Sequence, residues 1–173
     1  MTFGVLLSKI NVWDIIVEHF KSLRDASTAK ASVPDVLLFY AAPIVPVVVM
    51  AAYGVRLTDS TIAVLATALS ILAGLLFNLL ILLHSLQIPP RDADYDRMMK
   101  RFMSELHANI AYAIVVSLVA LIPLVIGSYY GPDDWRRTSC GILAVYLTVH
   151  FALTMAMVLK RMDTMLQERM KPN

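Results

Sequence analysis

Apolar residues run almost unbroken from Ser60 to Ser85 (STIAVLATALSILAGLLFNLLILLHS), and no charge interrupts them. At 1.5 Å per residue a helix of this length exceeds a hydrocarbon core of about 30 Å, so the stretch reads as a tilted membrane span. Its polar and small residues, Thr67, Ser70, Gly74, Asn78 and Ser85, follow one another at steps of 3, 4, 4 and 7. Those steps put them on one helix face. A spanning helix with a polar face turns it toward protein or water, because lipid would leave the Asn78 amide unsatisfied.

Three more runs have the same character. Val36 to Tyr53 is just long enough to span; Pro43 and Pro46 inside it predict a kink, either a bend fitted to neighbouring helices or a hinge. The others cover 108–130 and 138–159, giving spans at about 36–53, 60–86, 108–130 and 138–159. The fold expected is all-α: a four-helix transmembrane domain over 34–173, preceded by an amphipathic segment and linker over 1–33. In that segment Asn11, Asp14, Glu18, Lys21 and Asp25 alternate with Ile10, Trp13, Ile16, Val17, Phe20 and Leu23 at helical spacing. Such a helix can lie in the interface, pack on the cytoplasmic ends of the others, or insert its start. Tyr95, Met99, Phe102 and Leu106, and again Met155, Leu159, Met162, Leu166 and Met170, carry apolar stripes beyond the membrane. These helical extensions are expected to pack on each other or on another copy.

Composition agrees with a membrane protein: 173 residues, 58% hydrophobic and only 16% charged. The charges cluster. Of 15 basic residues, only Arg56, Arg136 and Arg137 fall between spans one and two or three and four. The remainder flank the other ends, so both termini and the middle loop are expected in the cytoplasm. The start, MTFGVLLSK, lacks the basic lead of a signal peptide. One cysteine, Cys140, excludes an internal disulfide and a Cys-based zinc site.

No enzyme motif is present, and no acidic pair lies inside the membrane, which argues against an enzyme and a proton-coupled exporter. His150 is the strongest clue, an ionisable side chain inside the fourth span with Tyr146 and Thr154 one turn away on the same face. It is either a neutral histidine bonded to a backbone carbonyl or to Asn78, gluing helices, or part of a polar constriction. His84 and His107, at similar depth on spans two and three, would also suit axial haem ligation in a small electron carrier. Arg91, Arg97, Lys100, Arg101, Lys160 and Arg161 form a basic collar under the bundle. The collar either sets topology and meets anionic lipid, or holds an anionic ligand such as a nucleotide or short oligonucleotide.

The stretches ELHANIAYAIVVSL (Glu105 to Leu118) and HFALTMAMVLKR (His150 to Arg161) resemble small four-span membrane effectors of bacterial anti-phage systems. The Hailong membrane effector is the nearer likeness, the membrane subunit of Kiwa the second, over roughly the second half of the chain. The resemblance implies a homo-oligomeric, tetrameric ion channel of the inner membrane, whose opening depolarises the infected cell. In Hailong a partner nucleotidyltransferase makes a DNA oligomer that keeps the channel shut. No cofactor is expected on this reading. A non-conducting membrane anchor for a cytoplasmic partner is the rival from another class.

Overall fold

The computed structural model describes residues 13–22, 33–85 and 93–170. Among them there are helices and turns and no strand: α1 Trp13–Ser22, α2 Val33–Ala41, α3 Ile44–Tyr53, α4 Asp59–Ser85, α5 Ala93–Ser128 and α6 Trp135–Met170. Three of these, α4, α5 and most of α6, are long and apolar enough to cross a membrane.

The long helix α5 is the axis of the molecule. Its buried residues Met99, Leu106, Ile110, Ala113, Ser117, Ala120, Leu124 and Gly127 recur at alternating steps of three and four after an opening seven. That 3.5-residue period is the seam along which helices pack at shallow crossing angles. Small side chains at Ala113, Ser117 and Ala120, all fully buried, let neighbours come close. Near the outer end Gly127 leaves room for Cys140 of α6, whose Cβ would stand only 3.2 Å from a Cβ at position 127. Helix α4 packs on one side of α5 through Ile62, Leu69, Ala73, Leu76 and Leu83, and α6 packs on another. Between α4 and α6 remains an open apolar groove of about 360 Å³, bordered by Leu65, Leu72, Ala152 and Leu159.

The helices expected to extend beyond the apolar runs do so, because α5 begins at Ala93 and α6 runs to Met170 without a break. Met99, Leu106 and Val158 are buried there, and Tyr95, Phe102 and Met162 pack against them. The stripes thus meet within one chain. Leu159 and Leu166 of the same stripe face outward.

The first apolar run departs from a single span. It forms two short helices, α2 and α3, separated at Ala42 and Pro43. At 1.5 Å per residue each covers roughly 15 Å, so neither alone crosses a bilayer. The cause is the proline pair. Pro43 offers no N–H to the carbonyl of Phe39, and Pro46 none to that of Ala42. Ala42 recovers a tighter bond from the Val45 amide at 3.1 Å. Phe39 finds its donor on another helix, described below.

Local chemistry sets the other ends. Helix α3 stops at Gly54, with φ of 62°, and the amides of Gly54 and Val55 return to the carbonyls of Ala51 and Met50. Thr58 caps α4 by accepting the Thr61 amide at 3.2 Å, and Asp134 caps α6 by accepting the Arg136 amide at 2.8 Å. Arg137 then closes this end of the bundle. Its guanidinium donates to the Leu57 carbonyl at 3.0 Å, the Tyr130 carbonyl at 3.3 Å and the Asp59 carboxylate at 2.7 Å.

Helix α1 packs against α5. Of the residues expected on its apolar side, Ile16 packs on the core whereas Trp13 is exposed, and His19 is fully buried. Residues 10–12 and 23–25 of the expected amphipathic helix lie outside the described residues.

Candidate functional site: two sets of polar residues

The polar residues read from sequence separate into two groups that never meet. The first surrounds His150. Helix α6 buries Ala144, Phe151, Thr154 and Val158 against α5, and His150 projects from a neighbouring face toward α2. Its Nδ1 lies 2.9 Å from the Phe39 carbonyl, the acceptor that Pro43 left without a helical donor. A carbonyl can only accept, so Nδ1 carries the proton. In neutral imidazole Nε2 then accepts, and the Tyr112 hydroxyl of α5 donates to it at 2.9 Å. One side chain therefore ties three helices. Tyr146 adds a long bond, its hydroxyl 3.4 Å from the Tyr40 carbonyl. Thr154 is buried but donates to the His150 carbonyl of its own helix at 2.9 Å, so it contributes no link between helices.

Three members of this cluster carry no motif in the sequence. Tyr112 and Asn109 lie on α5 beside its 3.5-residue seam, and His19 sits on α1. The His19 ring stacks on the Tyr112 ring with centroids 3.8 Å apart and planes 7° from parallel. Its Nδ1 donates to Asn109 Oδ1 at 2.8 Å. Burial pushes the His19 pKa down to about 4, the Asn109 bond opposing it. The available signal was the i, i+4 relation of His19 to Ile15, which places it on the face that packs.

The second group points the other way. Thr67, Ser70, Gly74, Asn78 and Ser85 are all exposed on α4, across the helix from its buried Leu69, Ala73 and Leu76. The hydroxyls are satisfied locally: Thr67 donates to the Ala63 carbonyl, Ser70 to Ala66 and Ser85 to Leu82, each at 2.8 Å. Asn78 has no such recourse, and among the described residues its amide makes no hydrogen bond. A Cβ at Gly74 would meet nothing within 4 Å. Asn78 is thus not the partner of His150; the backbone carbonyl is.

The basic collar is partly neutralised. Arg97 pairs with Asp94 at 3.2 Å along α5, and Glu105 takes both Arg101 at 3.0 Å and Arg161 of α6 at 2.7 Å. Lys100 and Lys160 are exposed, and Arg91 lies outside the described residues. His84 and His107 are also exposed. Among the described residues no group of three or more histidines, cysteines or carboxylates converges as a metal site. No family model, no curated protein and no solved structure matches this chain.

Proposed function

We propose that this chain forms a homo-oligomeric pore in a membrane, with the face of α4 that carries Thr67, Ser70 and Asn78 turned toward the conducting path or the adjoining copy. The observation that carries this reading is the Asn78 amide. It projects outward from a helix long enough to span, with no partner among the described residues. An amide in hydrocarbon without a hydrogen bond costs several kcal/mol, on the order of 4 or more, whereas water or a second copy removes the cost. One bundle of this size encloses too little space for a water path, so conduction needs several copies.

A fourth crossing by the broken segment completes the topology. Phe39 lies at the level of His150, while Arg56 donates to the Pro132 carbonyl and Asp133 beside the start of α6. The pair α2 and α3 therefore runs antiparallel to α6 over much of its length. Exposed Tyr53, Tyr129 and Trp135 gather toward that end, as aromatic residues do at a bilayer surface. With the basic bias this gives an inner-membrane protein with both termini and the collar in the cytoplasm. Lys100 and Lys160, repeated around an oligomer, offer the collar's attraction for an anionic ligand that biases open against closed states. A role in anti-phage defence rests on the resemblance of the second half of the chain.

A non-conducting anchor is the second reading, favoured by the rigid cytoplasmic extensions of α5 and α6 that Glu105 and Arg161 hold together. Two measurements separate them. Light scattering in detergent should give an oligomer, and purified protein in liposomes should collapse an imposed ion gradient. A monomer, or an oligomer without flux, removes the pore.

A further inference from the structure

We propose that docking of α1 controls the proline break in the first apolar segment through a relay of three side chains, His19, Tyr112 and His150. The geometry is continuous. The His19 ring lies flat on the Tyr112 ring and fixes the plane in which that ring stands. In that plane the Tyr112 hydroxyl reaches His150 Nε2 at 2.9 Å. The donated proton commits His150 to the tautomer whose Nδ1–H serves the Phe39 carbonyl, which Pro43 leaves without a helical donor. Removing α1 takes away the face that holds Tyr112, and the break loses its external hydrogen bond two steps later. The same break carries α3, which has no buried residue and is held only lightly against α6. A small change at α1 therefore acts on a helix that buries none of its residues. This inference does not depend on whether the molecule conducts.

Acid offers a second way to undock α1. The ionisable groups facing His19 are Tyr112 on α5 and His150 and Arg161 on α6, and Glu105 is engaged by Arg101 and Arg161. None of those facing groups is an anion that would welcome an imidazolium, and burial disfavours it further.

Hydrogen–deuterium exchange of the full chain in lipid nanodiscs reads both ends of the relay. Tyr112→Phe keeps the ring beneath His19 and deletes only the hydroxyl. It should raise exchange at residues 38–45 about tenfold, the weight of one buried hydrogen bond, and leave 13–22 at the wild-type rate. His19→Ala should raise both segments while α4 stays protected. Unchanged exchange at 38–45 in Tyr112→Phe overturns the relay, and so does an opening that spreads to α4. Should His19→Ala not fold, the wild-type protein still decides the matter between pH 7.5 and 4, with intrinsic exchange rates corrected. Residues 13–22 must open before or together with 38–45, and the reverse order overturns the relay.

Discussion

The surroundings of His150 and of Asn78 show how one kind of residue, a polar side chain in an apolar helix, comes to opposite ends. His150 is sealed, 3% exposed, and both ring nitrogens are engaged by groups from other helices. Asn78 lies on a helix of which only 17% of the apolar window is buried, and its face looks away from the bundle. The first is an intramolecular fastener whose partner is a carbonyl that a proline created. The second is a polar group for which the described residues provide no partner. Polarity at membrane depth therefore identifies a need for a partner, and only the surrounding packing says whether that partner is internal.

The contrast can be broken most forcefully at the sealed site. His150→Leu leaves the Phe39 carbonyl without its donor and takes from the Tyr112 hydroxyl its acceptor on α6, with the Tyr40 hydroxyl still beside it. At about 1–3 kcal/mol for each buried orphan, thermal unfolding in detergent should show a loss of about 3 kcal/mol. A loss below about 1 kcal/mol would mean that the cluster does not hold the helices together.

Acid attacks the same cluster from its outer member. The folded pKa of His19 lies below its ordinary value of 6.5, at about 4, so the docked form favours the neutral ring. Its contribution is complete above pH 6.5 and declines as pH falls from there through 4. The stake is at most about 3.5 kcal/mol, one pKa unit being about 1.4 kcal/mol. Nitrogen-15 NMR of the histidine rings checks the sign; a His19 that titrates above pH 6.5 contradicts it.

Asn78→Leu probes the outward side. The fold of one chain should be as stable as before, since no internal contact is removed. Association and ion flux should fall, the former by about 1–2 kcal/mol per contact. Analytical ultracentrifugation in detergent and liposome flux measure the two. If the oligomer survives intact and conducts, α4 does not line the path.

The smallest effect belongs to Ser70→Ala. Its hydroxyl answers only to the Ala66 carbonyl of its own helix, so stability and flux should change by less than about 0.5 kcal/mol. A large loss would place Ser70 in contact with a second copy through more than its hydroxyl.

Much of this architecture was legible in the order of residues. The boundaries of α4 follow from the charge-free run, and the stripes through Met99 and Leu106 announced helices that outlast the apolar runs. Prolines 43 and 46 predicted a kink, which the structure shows as a two-residue interruption between α2 and α3. The candidate site was legible only in half. His150 stood out because ionisable groups are rare at that depth, and a backbone carbonyl was one of its expected partners. Asn78 as the other candidate partner did not hold, because α4 turns that face away from α6. His19, Asn109 and Tyr112 carry no motif: the spacing of His19 from Ile15 points to the packing face but does not name the partners it meets there.

Periodicity and proline chemistry are properties of neighbours in the chain, so the long apolar helices and the bend in the first apolar run could be read from the sequence alone. Which face of each helix meets another is a property of the whole bundle. It depends on how α5, lined with alanine, serine and glycine, admits its neighbours. Only the tertiary structure placed an orphaned carbonyl opposite His150 and left Asn78 looking outward.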